Sequence, residues 1–124
     1  MQKIIMGLSL YFFLTGCYVL FAPLHFYQNV PGVAAMGPFN LHFIRDVGLV
    51  FIASGGAMAW GIKTQIKSTL IAGAAWPFLH AVFHIQLWVG MRGFAMDFVT
   101  LSDFVAVIVP VLAALYGALK MERI

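Results

Sequence analysis

Four apolar stretches, each about as long as a lipid bilayer is thick, decide most of what this chain can become. They run from about Ile4 to Ala22, Leu41 to Ile62, Ser68 to Val89 and Phe98 to Leu119. A hydrocarbon core roughly 30 Å across needs about 20 apolar residues in a helix. Backbone groups in lipid must be satisfied within their own segment, so stretches of this length are helices rather than open strands. Composition agrees: of 124 residues, 63% are hydrophobic and 9% are charged, against about 25% charged in an ordinary soluble domain. The expected fold is all-α, an integral membrane four-helix bundle forming a single membrane domain over residues 1–124. The lipid bilayer is its solvent and first partner. Disorder is excluded, because disordered chains are polar and poor in aromatics, which here make up 15%.

The same numbers narrow the function classes. Seven basic residues give a net charge of +3, but they are scattered and form no stripe for a nucleic acid to follow. A single cysteine excludes an internal disulfide framework and a cysteine-based zinc cluster. The run Leu14-Thr15-Gly16-Cys17 has the form of a lipoprotein signal, yet Tyr18 to Ala22 prolong it into a full span. Cys17 is therefore read as a small packing residue.

The linkers fit four helices. Pro23 stops the first, Pro31-Gly32 marks a turn, and Pro38 leads to Asn40, the expected N-cap of the second. Lys63 to Lys67 form a short polar loop between the second and third spans. Asp97 is expected to cap the fourth. Lys3, Lys63, Lys67, Lys120 and Arg123 fall on one side, whereas the other has Arg92, plus Arg45 just inside a span. The positive-inside rule then predicts that both termini are cytoplasmic and that the loops holding His25 and Arg92 face outward. Trp60 and Trp88 sit where interfacial anchors belong, and Trp76 lies deeper.

Polar side chains are unevenly distributed along the spans. With about 1.5 Å of rise per residue, Arg45 and Asp46 lie about 6–8 Å below the outer surface, His84 and Asp103 about 8 Å, and His80 about 14 Å. His42 stands at the rim. The cytoplasmic half of every span has no ionisable group. His42, Arg45 and Asp46 share one helical face, as do His80 and His84. Charges within a span are costly and are expected to face the bundle interior and to pair. The expected pairs are Arg45 with Asp46 or Asp103, and His84 with a carboxylate. Pro77 removes the hydrogen bond to the Gly73 carbonyl and is expected to kink the third helix below the histidines.

This layer admits several chemistries. It can be an interhelical clamp without ligand. His80 and His84, joined by Asp46 or His42, supply the donors of a metal ion site. His42 and His84 lie at similar depth on different helices, as the axial ligands of a haem must. A quinone or another amphiphile would place its head group at His84 and Asp46 and its tail along Trp76, Phe78, Phe83 and Trp88. The expected site residues are thus His42, Arg45, Asp46, His80, His84, Asp103, Trp76 and Trp88. Protonation of histidine near pH 6.5 would add charge to such a layer. Conduction of charge is disfavoured, since below His80 the spans offer only Ser54, Ser9, Thr69 and backbone near Pro110. Ser102 beside Asp103 has a triad's composition but no sign of its geometry.

The stretch Asn40-Leu41-His42-Phe43-Ile44-Arg45-Asp46-Val47-Gly48, continuing to Ser54-Gly55-Gly56, resembles small bacterial four-helix membrane proteins of unknown function, broadly DoxX-like in plan. The resemblance implies a bacterial inner membrane and a multi-pass architecture, and it brings no reaction or cofactor. It also implies that Gly48 serves a close helix contact one turn below Arg45. Two functional expectations follow. One is a pocket between the second, third and fourth helices, open to the outside, for an amphiphile or cofactor. The other is an accessory subunit, a homo-oligomer or part of a larger membrane complex, in which the polar layer is glue; a metal- or haem-dependent redox protein is a third form.

Overall fold

In a computed structural model, residues 1–121 are described; Arg123, counted above among the basic residues, lies outside them. The chain is an all-helical membrane bundle with four helices long and apolar enough to cross a bilayer. These are α1 (Gln2–Phe21), α3 (Leu41–Thr64), α4 (Lys67–Gly90) and α5 (Phe98–Lys120). A short helix α2 (Pro23–Asn29) and a 3-10 turn, Ala34–Met36, fill the linker after α1.

The starts and stops follow local chemistry. Asn40 caps α3 by accepting from the Phe43 N–H at 3.0 Å, and Asp97 caps α5 by accepting from the Thr100 N–H at 3.0 Å. Gln65 ends α3 in the left-handed conformation, and Ile66 then enters α4. Pro23 begins α2 as well as ending α1. Its missing N–H costs nothing at a first helical position, which is why a seven-residue helix stands where only a loop was expected. α4 runs on through the buried Pro77 as one helix. In α5 the pattern changes to a π-helical turn over Phe104–Ile108, just before Pro110.

Glycine sets the closest helix contact. α1 lies on α3 with backbone against backbone: a Cβ at Gly16 would stand 2.6 Å from the Gly48 carbonyl oxygen, and one at Gly55 2.6 Å from the Ser9 carbonyl oxygen. Gly48 therefore serves the helix contact its position implied. Lipid gives helices no hydrophobic reason to associate, so approach of this kind, with its dispersion contacts, holds them. α4 packs on α3, and α5 closes the ring against α4 and α1.

The two ends of the bundle differ. Toward the Lys63–Lys67 hairpin it is solid, with Ile5, Met58, Leu70, Ala114 and Ala118 fully or almost fully buried. There the Lys67 ammonium donates to the Leu119 and Met121 carbonyls, at 3.2 and 2.8 Å, and ties the start of α4 to the end of α5. Toward the opposite end the helices stand apart around a cavity, and the segment from Pro23 to Pro38 roofs it. Gly32, at φ +85°, lets that roof lie against Val99 at the head of α5.

Candidate functional site

The cavity encloses about 960 Å³ and is lined mainly by apolar side chains. Its floor is Phe12, Phe51, Pro77 and Val111, and beneath them the packed half begins. Its polar groups come chiefly from α1, α4 and α5.

From α4 come His80 and His84, one turn apart, with ring centroids 4.5 Å from each other and nearly perpendicular. His80 is stacked flat on Trp76 at 4.8 Å and meets the edge of Phe51 at 5.7 Å. That aromatic sandwich fixes its plane. Across the cavity wall, His84 Nδ1 stands 3.2 Å from a carboxylate oxygen of Asp103, the last residue before the π turn. The two side chains are only 22% and 17% exposed. The nitrogen nonetheless makes no well-aligned hydrogen bond. A buried polar atom in that condition costs about 1–3 kcal/mol, so the pair is close but not at rest. A carboxylate beside imidazole selects which ring nitrogen carries the proton. With Nδ1 committed to Asp103, the nitrogen left for a ligand is Nε2.

The third polar contribution is α1, whose Tyr11, Thr15 and Tyr18 line the cavity from one helical face. None was among the expected site residues. Their spacing of i, i+4 and i+7 was visible, but tyrosine and threonine pass as ordinary span residues. Tyr11 donates to the Ala106 carbonyl at 2.5 Å. That carbonyl is the one Pro110, lacking an N–H, cannot serve, so a tyrosine on α1 satisfies a group freed in α5. At the roof, the Tyr18 hydroxyl pairs with His25 Nδ1 at 2.6 Å, and Tyr27 donates to the Gly37 carbonyl at 2.9 Å.

The remaining expected residues lie elsewhere. His42, Arg45 and Asp46 do not face the bundle. α3 buries Ile44, Gly48, Phe51, Gly55 and Met58, a 3–4 alternation that puts 42, 45 and 46 on its far side. Asp46 pairs with His42 on its own helix at 3.3 Å, with the two side chains 52% and 89% exposed. The expected pairing of Arg45 with Asp46 or Asp103 is therefore absent among the described residues. Charge near a span's end is solvated by the interface, which weakens the rule that it must turn inward. Asp46 and His42 are thus separated from His80 and His84. Among the described residues no three His, Cys, Asp or Glu side chains converge to hold a metal ion, and His42 does not share a site with His84 for a haem.

The two tryptophans also change role. Trp76 braces His80, and Trp88 turns to the head of α5, donating to the Ala95 carbonyl at 2.8 Å and meeting Phe94 and Phe104 edge-on. Neither lines the cavity, nor does Phe78, and Phe83 alone of the expected tail path does. Beside them, Arg92 pairs with Asp97 and donates to the Thr100 hydroxyl at 3.0 Å. The guanidinium, followed by the Thr100 N–H, holds the Asp97 carboxyl well below the usual range, at about 2. This cluster pins the start of α5.

Comparison with protein families, with curated proteins and with solved structures returns no match to this chain.

Proposed function

We propose that the protein binds a membrane-dissolved amphiphile in the roofed cavity, with the polar head of that molecule at His84 and Asp103. The observation that carries this reading is a mostly apolar hollow of about 960 Å³ with His84 in its wall, the Nδ1 of that ring turned to Asp103 and its Nε2 left for a ligand. Sites for small molecules span about 300–1,000 Å³, mostly apolar with a few convergent polar groups. A head group bearing a carbonyl or hydroxyl oxygen, as in a quinone or a phenol, suits an imidazole that can offer or accept a proton at Nε2. Tyr11 and Thr15 extend polarity across the cavity, and Phe83 and the roof give an apolar path for a tail.

The basic residues favour an orientation in which the Lys63–Lys67 hairpin is cytoplasmic and the roof faces outward. The resemblance at Asn40–Gly48 favours a bacterial inner membrane. In that orientation the cavity belongs to the outer half of the bilayer.

Purification in mild detergent, solvent extraction and mass spectrometry test the proposal on the natural ligand, with a short-tailed benzoquinone as added probe. A co-purifying amphiphile that is lost in His84→Phe, with folding retained, is the expected result. A probe held at a hundred times its Kd should stabilise the wild type by about 2.7 kcal/mol and leave His84→Phe unmoved. Identical extracts from both proteins, with no stabilisation of either, would remove the reading.

A further inference from the structure

α3 carries two seams of side chains. Ile44, Gly48, Phe51, Gly55, Met58 and Ile62 form the buried one. His42, Asp46, Leu49, Ala53, Gly56 and Trp60 repeat the same alternation of four and three on the opposite face, where among the described residues all but the half-buried Gly56 are exposed. A repeat of this form is the contact line of paired parallel helices. By itself it also fits a helix facing lipid, so two further observations are needed.

The first is Gly56. The other glycines of α3 are forced, since a Cβ at Gly48, Gly55 or Gly61 would stand 2.5–2.8 Å from the backbone of a neighbouring helix. At Gly56 a Cβ would meet nothing within 4 Å. Glycine weakens a helix interior by up to about 1 kcal/mol relative to alanine, and no contact within the chain accounts for it here. The second is charge. Asp46 stands in the outer seam and Arg45, of opposite sign, flanks it, and among the described residues Arg45 has no ionic partner. Two copies in one membrane share an orientation, so a two-fold axis along the bilayer normal pairs each α3 with itself in parallel. Equal residue numbers then meet at equal depth, so the two Asp46 carboxylates approach each other at the axis, and the flanking Arg45 of each copy neutralises the Asp46 of the other.

We infer that this face of α3 is the docking surface for a second copy of the chain, with Gly56 and Ala53 allowing close approach and Arg45 and Asp46 pairing reciprocally. The contact lies outside the cavity and does not depend on what the cavity binds.

Disulfide cross-linking of the full chain in its native membrane tests it, in a Cys17→Ala background. Ala53→Cys should cross-link to a dimer of twice the chain mass, and Leu112→Cys, on the exposed face of α5, should not. Adding Gly56→Ile should lower the Ala53→Cys yield roughly tenfold, the scale of a membrane helix contact, without destabilising the monomer. Arg45→Asp and Asp46→Arg should each abolish the dimer when expressed alone, and co-expression of the two should restore it as a mixed pair. Equal yields at 53 and 112, adducts only to a chain of another mass, or no recovery on co-expression would each overturn the inference.

Discussion

Gly55 and Gly56 are adjacent in sequence, and the same substitution should act on them in opposite directions. A Cβ at Gly55 would lie 2.6 Å from the Phe13 nitrogen and the Ser9 oxygen, against 3.4–4 Å for ordinary contact. Both obstacles are backbone, so no side chain can swing aside, and α1 and α3 must part by about 0.8 Å. A gap of that order forfeits a quarter to a half of each dispersion contact along the seam. Overpacking costs about 1–3 kcal/mol, and the gain in helix propensity returns up to about 1 kcal/mol. With the full propensity gain Gly55→Ala is thus expected to destabilise by up to about 2 kcal/mol, whereas Gly56→Ala keeps only that gain. The gain is common to both, so the variants should differ by the overpacking cost alone, roughly 5- to 150-fold in unfolding equilibrium constant. Reversible unfolding by a harsh detergent in mixed micelles, followed by tryptophan fluorescence at high dilution to keep the chain monomeric, measures the difference. Equal stability of the two variants would refute backbone contact as the basis of the α1–α3 pair.

Other consequences are as direct. Tyr11→Phe strands the Ala106 carbonyl and should cost about 1–3 kcal/mol, with faster amide exchange concentrated around the π turn. Asp97, whose carboxyl is held at about 2 by Arg92 and the Thr100 N–H, stabilises the head of α5 only when ionised. Because its folded value is depressed, that contribution is complete above the ordinary carboxylate pKa of about 3.9 and is lost as pH falls through about 2. Acid titration of wild type and Asp97→Asn, read by exchange of amides near Phe98, should show the loss in the wild type alone. Asp103→Asn should keep the fold and weaken binding of the benzoquinone probe alongside His84→Phe, as measured by thermal shift.

The spans were legible because length and apolarity carry the signal, and their ends followed from Asn40, Asp97 and Pro23. That His84 would meet a carboxylate was legible too, because ionisable groups at one depth on adjacent helices have a reason to meet; that the carboxylate is Asp103, expected beside Arg45, was not. The facing of His42, Arg45 and Asp46 was not. The rule that turns charge inward weakens toward the interface, and on α3 the glycine seam through Gly48 and Gly55 had already settled which side faces α1. Tyr11, Thr15 and Tyr18 escaped for another reason: their hydroxyls ride on side chains that suit a span, so only their common face marks them. The π turn needs the Tyr11 bond to Ala106 to make sense, and that contact joins residues far apart in the chain.

The roof helix α2 has no buried residue. Lifting it uncovers little that was hidden, so on the proposed reading the threshold for entry of an amphiphile would be low. A guest of that kind, dissolved among the acyl chains, would arrive by two-dimensional diffusion, its effective dose fixed by partition into the leaflet. Saturation would then track the mole fraction of the guest among the surrounding lipids, so enlarging the vesicle population at constant total guest should empty the hollow.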